Sequence, residues 1–212
     1  METNGLVGYW TLKPGQPPAN LAAGGLYNYA FASNGVFVEA RRPGLEICAQ
    51  LAPCEIRGLL PVEEKFTLAY PRVPDFYLDA MLDLSVSACI QKGKHVEALF
   101  HLIWNEPENR WRLDQPEQIA TSGSVRPTQD GEGSSYQLAL IEVHSHHSMG
   151  AFFSSADDAD EQGFRIYGVL GNIFSEPKIR VRVGCFGHFW ELPAEIFFDM
   201  PKSIQDARLS DD

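Results

Sequence analysis

The sequence has few basic residues and no long apolar run. Its 212 residues carry 17 lysines and arginines against 28 aspartates and glutamates, a formal net charge of −11 at pH 7. Because neutralising nucleic-acid phosphates requires a basic face, this balance argues against a nucleic-acid partner. No stretch approaches the roughly 18 consecutive apolar residues of a membrane helix, and the opening METNGLVGYWTLKPG lacks the features of a signal peptide. We expect a cytoplasmic protein that does not enter a membrane.

Cysteine is also scarce. The four cysteines are Cys48, Cys54, Cys89 and Cys185, and their spacing matches neither a CxxC pair nor a zinc knuckle. Scattered thiols of this kind favour buried cysteines in a cytoplasmic protein, with a Cys48–Cys54 bridge as an open alternative. With 44% hydrophobic residues the chain can bury a sizeable core, and its length suggests one or two domains.

The composition changes along the chain and predicts three segments. Residues 1–62 are rich in glycine, proline, alanine and asparagine and contain the alternating run VFVEA, which predicts a β-rich region of unknown role. Residues 63–200 alternate helical and strand patterns, which indicates an α/β fold with a mixed sheet. Residues 201–212 form an acidic tail that we expect to be frayed.

The central segment supplies the predicted elements. Periodicity, turn residues and loop length distinguish its helices, strands and loops. In chain order we predict a helix over 74–93, a strand over 95–104, a hairpin partner over 109–114, a functional or mobile loop over 115–135, a strand over 136–146 and a helix from Ser155.

A histidine pair in the second of the two long strands carries the chemistry. His144 and His146 are two residues apart, so both imidazoles project from one face of a strand. Asp157, at the start of the next helix, can return a carboxylate to the same point. Two histidines and one carboxylate leave one tetrahedral position for water, which is typical of catalytic Zn²⁺. We therefore predict a zinc site.

The complete spacing is His-x-His, seven residues, then Ser154-x-x-Asp157. It resembles the JAMM motif of the MPN+ metalloproteases, and the resemblance covers about residues 74–198. It implies a mixed sheet flanked by helices, with cytidine-deaminase-like layering. It also implies that zinc is bound by His144, His146 and Asp157, and that Ser154 helps to stabilise the oxyanion.

The family also has a glutamate general base, which follows the first long helix and opens the next strand. Glu97 occupies that place in this chain. Burial would raise its pKa and a nearby zinc would oppose the rise, so Glu97 could exchange protons near neutral pH; a solvated strand end is the alternative. Glu63 and Glu64 fit the layout poorly. Glu142 lies on the histidine face, where it could support the ligands or simply be a surface residue.

Three positions leave alternatives open. Ser154 could act on the oxyanion or cap the helix and orient Asp157, and these roles are compatible because Ser155 could be the cap. A one-residue slip would instead make Asp158 the ligand, with Ser155 as its serine. His147 stands where the family usually has proline. It could loosen the turn, contact substrate or face water, and we favour the last.

The resemblance implies a zinc metalloprotease that cleaves a peptide or isopeptide bond, with a ubiquitin-like protein or peptide as substrate. The run VRVGCFGHFWELPAEIFFDM and the N-terminal extension resemble a narrower group, the A proteins of prokaryotic PRTRC systems. This narrower resemblance implies an adenylating enzyme and a ubiquitin-like protein in the same system. The rival hypotheses are a catalytically silent MPN scaffold and a zinc amidohydrolase of small molecules.

Overall fold

The computed structural model describes residues 6–15 and 25–210 and divides the chain into two compact units, Met1–Ala69 and Tyr70–Asp212. The first unit thus extends beyond the boundary predicted at residue 62. Strands predominate, and within the described ranges only three α-helices occur, all in the second unit. This composition is mixed α/β, as the sequence predicts. None of the described helices is long and apolar enough to cross a membrane.

The first unit is a five-stranded sheet whose strands lie in chain order. The first two strands are parallel and the other neighbours are antiparallel. Ala30, Ala32 and Phe37 form a buried core, and Trp10 packs against it. This sheet agrees with the predicted β-rich region. Its strands are β1 (Val7–Thr11), β2 (Tyr27–Ala32), β3 (Gly35–Arg42), β4 (Leu45–Pro53) and β5 (Lys65–Leu68).

The second unit is built on a seven-stranded mixed sheet. Its order is β13-β12-β11-β10-β6-β7, with β14 added to β12. A separate pair, β8 and β9, forms a small hairpin. All of β11 is buried, as expected for an interior strand of a sheet covered on both faces. The strands are β6 (Leu99–Asn105), β7 (Arg110–Asp114), β8 (Gln118–Ala120), β9 (Val125–Pro127), β10 (Ile141–Ser145), β11 (Phe164–Gly171), β12 (Lys178–Cys185), β13 (His188–Leu192) and β14 (Gln205–Asp206).

The sheet topology brings three strand ends to one edge. Strands β10 and β11 are parallel, so their C-terminal ends coincide. Strand β6 is antiparallel to β10, and Leu99 at its start pairs with His144 near the end of β10. Chain segments that enter or leave these three strands therefore meet beside His144.

Helix α1 (Asp75–Lys92) confirms the helix predicted over 74–93. Leu78, Met81 and Cys89 are buried at helical spacing, which provides the face that packs on the core. Gly93 ends the helix with φ 60°, the left-handed conformation that glycine adopts readily, and its N–H donates to a carbonyl of the last turn. The predicted hairpin also forms, between β6 and β7.

Three other predictions are wrong. The loop over 115–135 contains the β8–β9 hairpin. The strand predicted over 136–146 begins only at Ile141, because the preceding residues form the short helix α2 (Ser135–Leu138), capped by the Ser134 hydroxyl. The C-terminal tail, which we expected to be frayed, is packed up to Ala207. Strand β14 pairs with β12, and the buried Asp206 carboxylate accepts a hydrogen bond from the Ala194 N–H at 2.6 Å.

Candidate metal centre

Two imidazoles and a carboxylate meet at the end of β10. His144 lies in β10 and His146 directly follows it, and their Nε2 atoms are 3.2 Å apart. Asp157 is the third residue of α3 (Ser155–Asp160). Its Oδ1 lies 3.3 Å from His144 Nε2, and its Oδ2 lies 4.0 Å from His146 Nε2. The structure therefore brings together the three residues that the sequence singled out.

These separations suit a tetrahedral cation. Ligand atoms that are bound 2.0–2.1 Å from a tetrahedral zinc lie roughly 3.3 Å from one another. The separations of His144 Nε2 from His146 Nε2 and from Asp157 Oδ1, 3.2 and 3.3 Å, match that value, whereas His146 Nε2 lies 4.0 Å from the other carboxylate oxygen, Oδ2. The three residues could therefore hold a metal ion. Two imidazole nitrogens and one carboxylate oxygen suit zinc and other first-row divalent metals alike.

Burial keeps both histidines in the form that binds a metal. It lowers the pKa of His144 to about 4 and also lowers the pKa of His146, so both rings are neutral near pH 7. Neutral imidazole is the ligand form. His146 Nδ1 lies 3.3 Å from the carbonyl oxygen of Gly150. A carbonyl can only accept, so Nδ1 carries the hydrogen and Nε2, which lies 3.2 Å from His144 Nε2, keeps its lone pair free for a metal.

Ser154 orients the carboxylate of Asp157. Its hydroxyl and its N–H both donate to Asp157 Oδ2, at 2.7 and 2.6 Å, and the Asp157 N–H donates back to the hydroxyl at 3.3 Å. This capping box makes Ser154 the N-cap, which was one of its two possible roles, so Ser155 does not take the capping role. The alternative ligand Asp158 pairs with Arg182 instead.

Glu97 lies beside the metal centre, although not in the strand predicted for it. Strand β6 begins two residues later. The Glu97 N–H donates to Thr121 O, and Ser145 N–H donates to Ala98 O, both at 2.9 Å, so this segment is tied to the hairpin on one side and to β10 on the other. Glu97 is only 4% exposed. Burial, reinforced by the negative charge of Asp157, raises its pKa to about 7.

A cavity of about 40 Å³ is lined by Glu97 and by the candidate ligands His144 and Asp157. It is large enough to hold water. The tip of the β8–β9 hairpin, Gly123 to Val125, forms part of its wall. The lining is rich in carboxylates, which favours a cation inside it. These carboxylates belong to Glu97, Glu142, Asp157, Asp160 and Glu161.

His147 is buried, so the expectation that it faces water is wrong. Its Nδ1 accepts the N–H of Ser148 at 2.7 Å, and its Nε2 donates to Ser122 O in the hairpin at 2.8 Å. Its φ of 37° is one that a proline ring cannot adopt. The turn after His146 therefore differs from one that proline would build, and it uses the imidazole to hold the hairpin tip.

Glu142 is mostly buried, so it is not a simple surface residue. Its side chain is 13% exposed, and its Oε2 accepts from Arg165 at 3.0 Å and lies 3.5 Å from Nε2 of the buried His101. Burial raises the pKa of Glu142, but the bond to His101 and the charge of Arg165 outweigh that effect and lower it. Glu142 therefore stays ionised next to the histidine ligands.

Sequence reasoning missed Glu161 and Arg182. The Arg182 guanidinium lies between the rings of Phe153 and Phe189, 3.9 and 3.8 Å from their centroids, and its Nε donates to Glu161 Oε2 at 2.8 Å. Burial raises the pKa of Glu161, whereas the charge of Arg182 and the hydrogen bond from it lower that pKa and favour the ionised carboxylate. The sequence signal that could have found this pair is Arg182 in the run KIRVRVGC, because a charged residue in a buried strand requires a partner of opposite charge.

No protein-family model matches the chain, and a comparison with curated proteins found no match. The resemblance to the MPN+ metalloproteases therefore depends on the motif residues themselves.

Proposed function

We propose that this protein is a zinc-dependent peptidase or isopeptidase of the JAMM type, with the sheet and helices of the second unit layered as in the MPN fold. The observation that carries the proposal is that His144, His146 and Asp157 converge near the buried Glu97, and that Glu97, His144 and Asp157 line one water-sized cavity. Zn²⁺ held by those three residues would supply the Lewis acidity that activates water and polarises a carbonyl group.

Glu97 is the general base in this proposal. Its carboxylate borders the cavity, and its pKa near 7 allows it to accept a proton from the attacking water and to release that proton to the leaving amine nitrogen. Burial in the segment between the hairpin and β10 keeps bulk water from competing for the proton.

Ser154 is proposed to stabilise the oxyanion. Its hydroxyl has a single hydrogen, which is donated to Asp157 Oδ2 in the present structure. To assist the reaction, this hydrogen turns from Asp157 towards the substrate oxygen. The backbone N–H of Ser154 keeps its own bond to Asp157 Oδ2 and so holds the carboxylate in place meanwhile.

The proposed substrate is the C-terminal tail of a ubiquitin-like protein, with an adenylating enzyme as a further partner of the same system. The cavity beside Glu97 is small, about 40 Å³, and a glycine-rich tail has no bulky side chains to accommodate there. An extended tail could add to an exposed strand edge near the site through main-chain hydrogen bonds.

The narrow cavity also supports a second candidate, a zinc amidohydrolase of small molecules. The hairpin tip around Ser124 forms one of its walls, which restricts access by a protein chain. The two candidates differ in substrate size, so they are separated by comparing cleavage of a ubiquitin-like fusion with cleavage of small amides.

The deciding experiment measures metal content by mass spectrometry after zinc incubation and desalting. We expect about one zinc per wild-type chain, and none in His146→Ala. Glu97→Gln should keep the zinc and lose hydrolysis of ubiquitin-like fusions. Wild-type protein without stoichiometric metal would refute the proposal. Zinc binding without any hydrolysis would instead support the silent scaffold.

A further inference from the structure

The second ring nitrogen of His144 is directed towards a carboxylate. Nε2 faces His146 and Asp157, whereas Nδ1 lies 4.0 Å from Oε1 of Glu161. Glu161 directly follows α3, the helix that carries Asp157. Helix α3 and the residue after it therefore provide two carboxylates: Asp157, a candidate ligand, in the first turn, and Glu161, which lies behind the candidate ligand His144, at the end.

Glu161 is held firmly in this position. Its Oε2 accepts from Arg182 Nε at 2.8 Å and lies 2.6 Å from a terminal nitrogen of the same guanidinium. Arg182 is itself fixed between Phe153 and Phe189. Glu161 is 5% exposed, so water does not compete for it. Because Arg182 occupies Oε2, the free oxygen Oε1 is the one that points towards His144.

This arrangement matches a recurrent role of carboxylates behind metal-binding histidines. A histidine ligand usually donates its second N–H to a carboxylate or carbonyl, which fixes the tautomer and the ring orientation. His146 has the Gly150 carbonyl for this purpose. We propose that Glu161, held by Arg182, is a positioning residue: when the metal binds, the 4.0 Å separation closes to a hydrogen bond in which Glu161 Oε1 accepts the Nδ1 hydrogen of His144, and this bond directs Nε2 towards the metal. The inference rests on the proposed metal site and adds a residue to it.

The test compares two carboxylates that share one arginine. Asp158 and Glu161 both contact Arg182, but only Glu161 approaches His144. Zinc affinity is measured on the full chain by competition with a chromogenic chelator. Glu161→Gln should bind Zn²⁺ at least roughly tenfold more weakly than wild type, and the matched control Asp158→Asn should stay within about threefold.

A spectroscopic readout separates positioning from loss of packing. In the ¹⁵N-labelled, zinc-loaded protein, the His144 Nδ1 proton should be protected from exchange with water, and Glu161→Gln should make it exchange faster. If Glu161→Gln does not fold, Arg182→Lys is used in its place. Lysine retains the positive charge but cannot contact Glu161 Oε2 with two nitrogens, as Arg182 does. This variant too should weaken zinc binding.

Several results would overturn the inference. The inference is refuted if Glu161→Gln binds zinc as tightly as wild type. The same holds for Arg182→Lys if that variant has to replace Glu161→Gln. An equal loss of zinc affinity in Asp158→Asn would show that both variants act by disturbing Arg182 and helix α3, and not through a contact between Glu161 and His144. Wild-type protein that binds no zinc would refute the proposed function itself, whereas wild-type binding with an unaffected variant refutes only the role of Glu161.

Discussion

Ser154 helps to set the orientation of Asp157. Ser154 donates two hydrogen bonds to Asp157 Oδ2, which leaves Oδ1 facing His144. Ser154→Ala removes the hydroxyl donor, so we expect zinc affinity to fall roughly tenfold. The loss of the helix cap should also lower the free energy of unfolding by about 1 kcal/mol. Chelator competition and denaturant unfolding measure the two effects.

The adjacent serine provides the control for this prediction. Ser155 is exposed and is not the cap, so Ser155→Ala should leave zinc affinity unchanged. If Ser154→Ala binds zinc as tightly as wild type while hydrolysis falls, Ser154 acts on the substrate alone and does not position Asp157.

Glu39 should make the first unit sensitive to pH. Burial raises its pKa, and the 2.7 Å bond from Trp10 only partly offsets that effect. Because the folded state keeps the proton to higher pH, Glu39 stabilises the unit below the ordinary glutamate pKa, and this stability is lost as the pH rises through the raised value. Glu39→Gln keeps an acceptor for Trp10 and should therefore lose less stability than wild type between about pH 5 and pH 8.

Thermal unfolding of the full-length wild type and Glu39→Gln at about pH 5 and about pH 8 tests this prediction. Glu55→Gln is the control, because Glu55 is an exposed carboxylate that is not among the groups that shift the pKa of Glu39, so its removal should not alter the pH dependence. Parallel stability profiles for wild type and Glu39→Gln would contradict the prediction.

The turn after β10 is shaped by the end of β11. A Cβ on Gly171 would overlap the backbone of Gly150 and Ala151, so this close approach is possible only for glycine. The Gly150 carbonyl in turn accepts from His146. Gly171→Ala should displace the turn, destabilise the fold by roughly 1–3 kcal/mol and weaken zinc binding. Calorimetry and chelator competition would show this.

Gly150→Ala serves as the comparison. A Cβ at Gly150 would have the Phe152 side chain, 3.9 Å away, as its nearest neighbour, an ordinary contact. This variant should be tolerated. If Gly171→Ala is as stable as Gly150→Ala, the end of β11 and the turn after β10 can move apart without a loss of stability, and the prediction is wrong.

Elements with a long local pattern were predictable. Helix α1 buries Leu78, Met81 and Cys89 on one face and ends at Gly93, although its apolar residues Phe76, Leu84 and Ile90 are exposed. Helix α3 has a serine cap followed by acidic residues. The spacing of His144 and His146 places both rings on one strand face, and Asp157 follows at a fixed position in the next helix. These relations are local, so the candidate ligands could be found without tertiary information.

Short elements and distant pairs were not predictable. Strands β8 and β9 have three residues each and form where the hairpin meets the segment of Glu97. Strand β14 has two residues and exists only by pairing with β12. Arg182 and Glu161 are 21 residues apart and become partners only when β12 and α3 pack. Tertiary contacts, not sequence periodicity, determine these features.

At the scale of the whole molecule, the candidate ligands and their supporting residues lie in one unit. Glu97, the metal ligands, the hairpin around Ser122, and Arg182 all fall within Tyr70–Asp212. This unit also contains the complete seven-stranded sheet and α1. A unit with its own core is expected to fold independently.

We therefore expect the fragment Tyr70–Asp212 to fold alone and to bind one zinc with the affinity of the full chain, because no ligand or supporting residue is removed. Circular dichroism, thermal unfolding and chelator competition on the fragment test this, with His146→Ala in the same fragment as the control for specific binding. A fragment that is unfolded, or that folds but fails to bind zinc when the full chain binds it, would show that the metal centre requires the first unit. Folding and binding together would assign the first unit a role outside the metal centre, such as recognition of the substrate or partner.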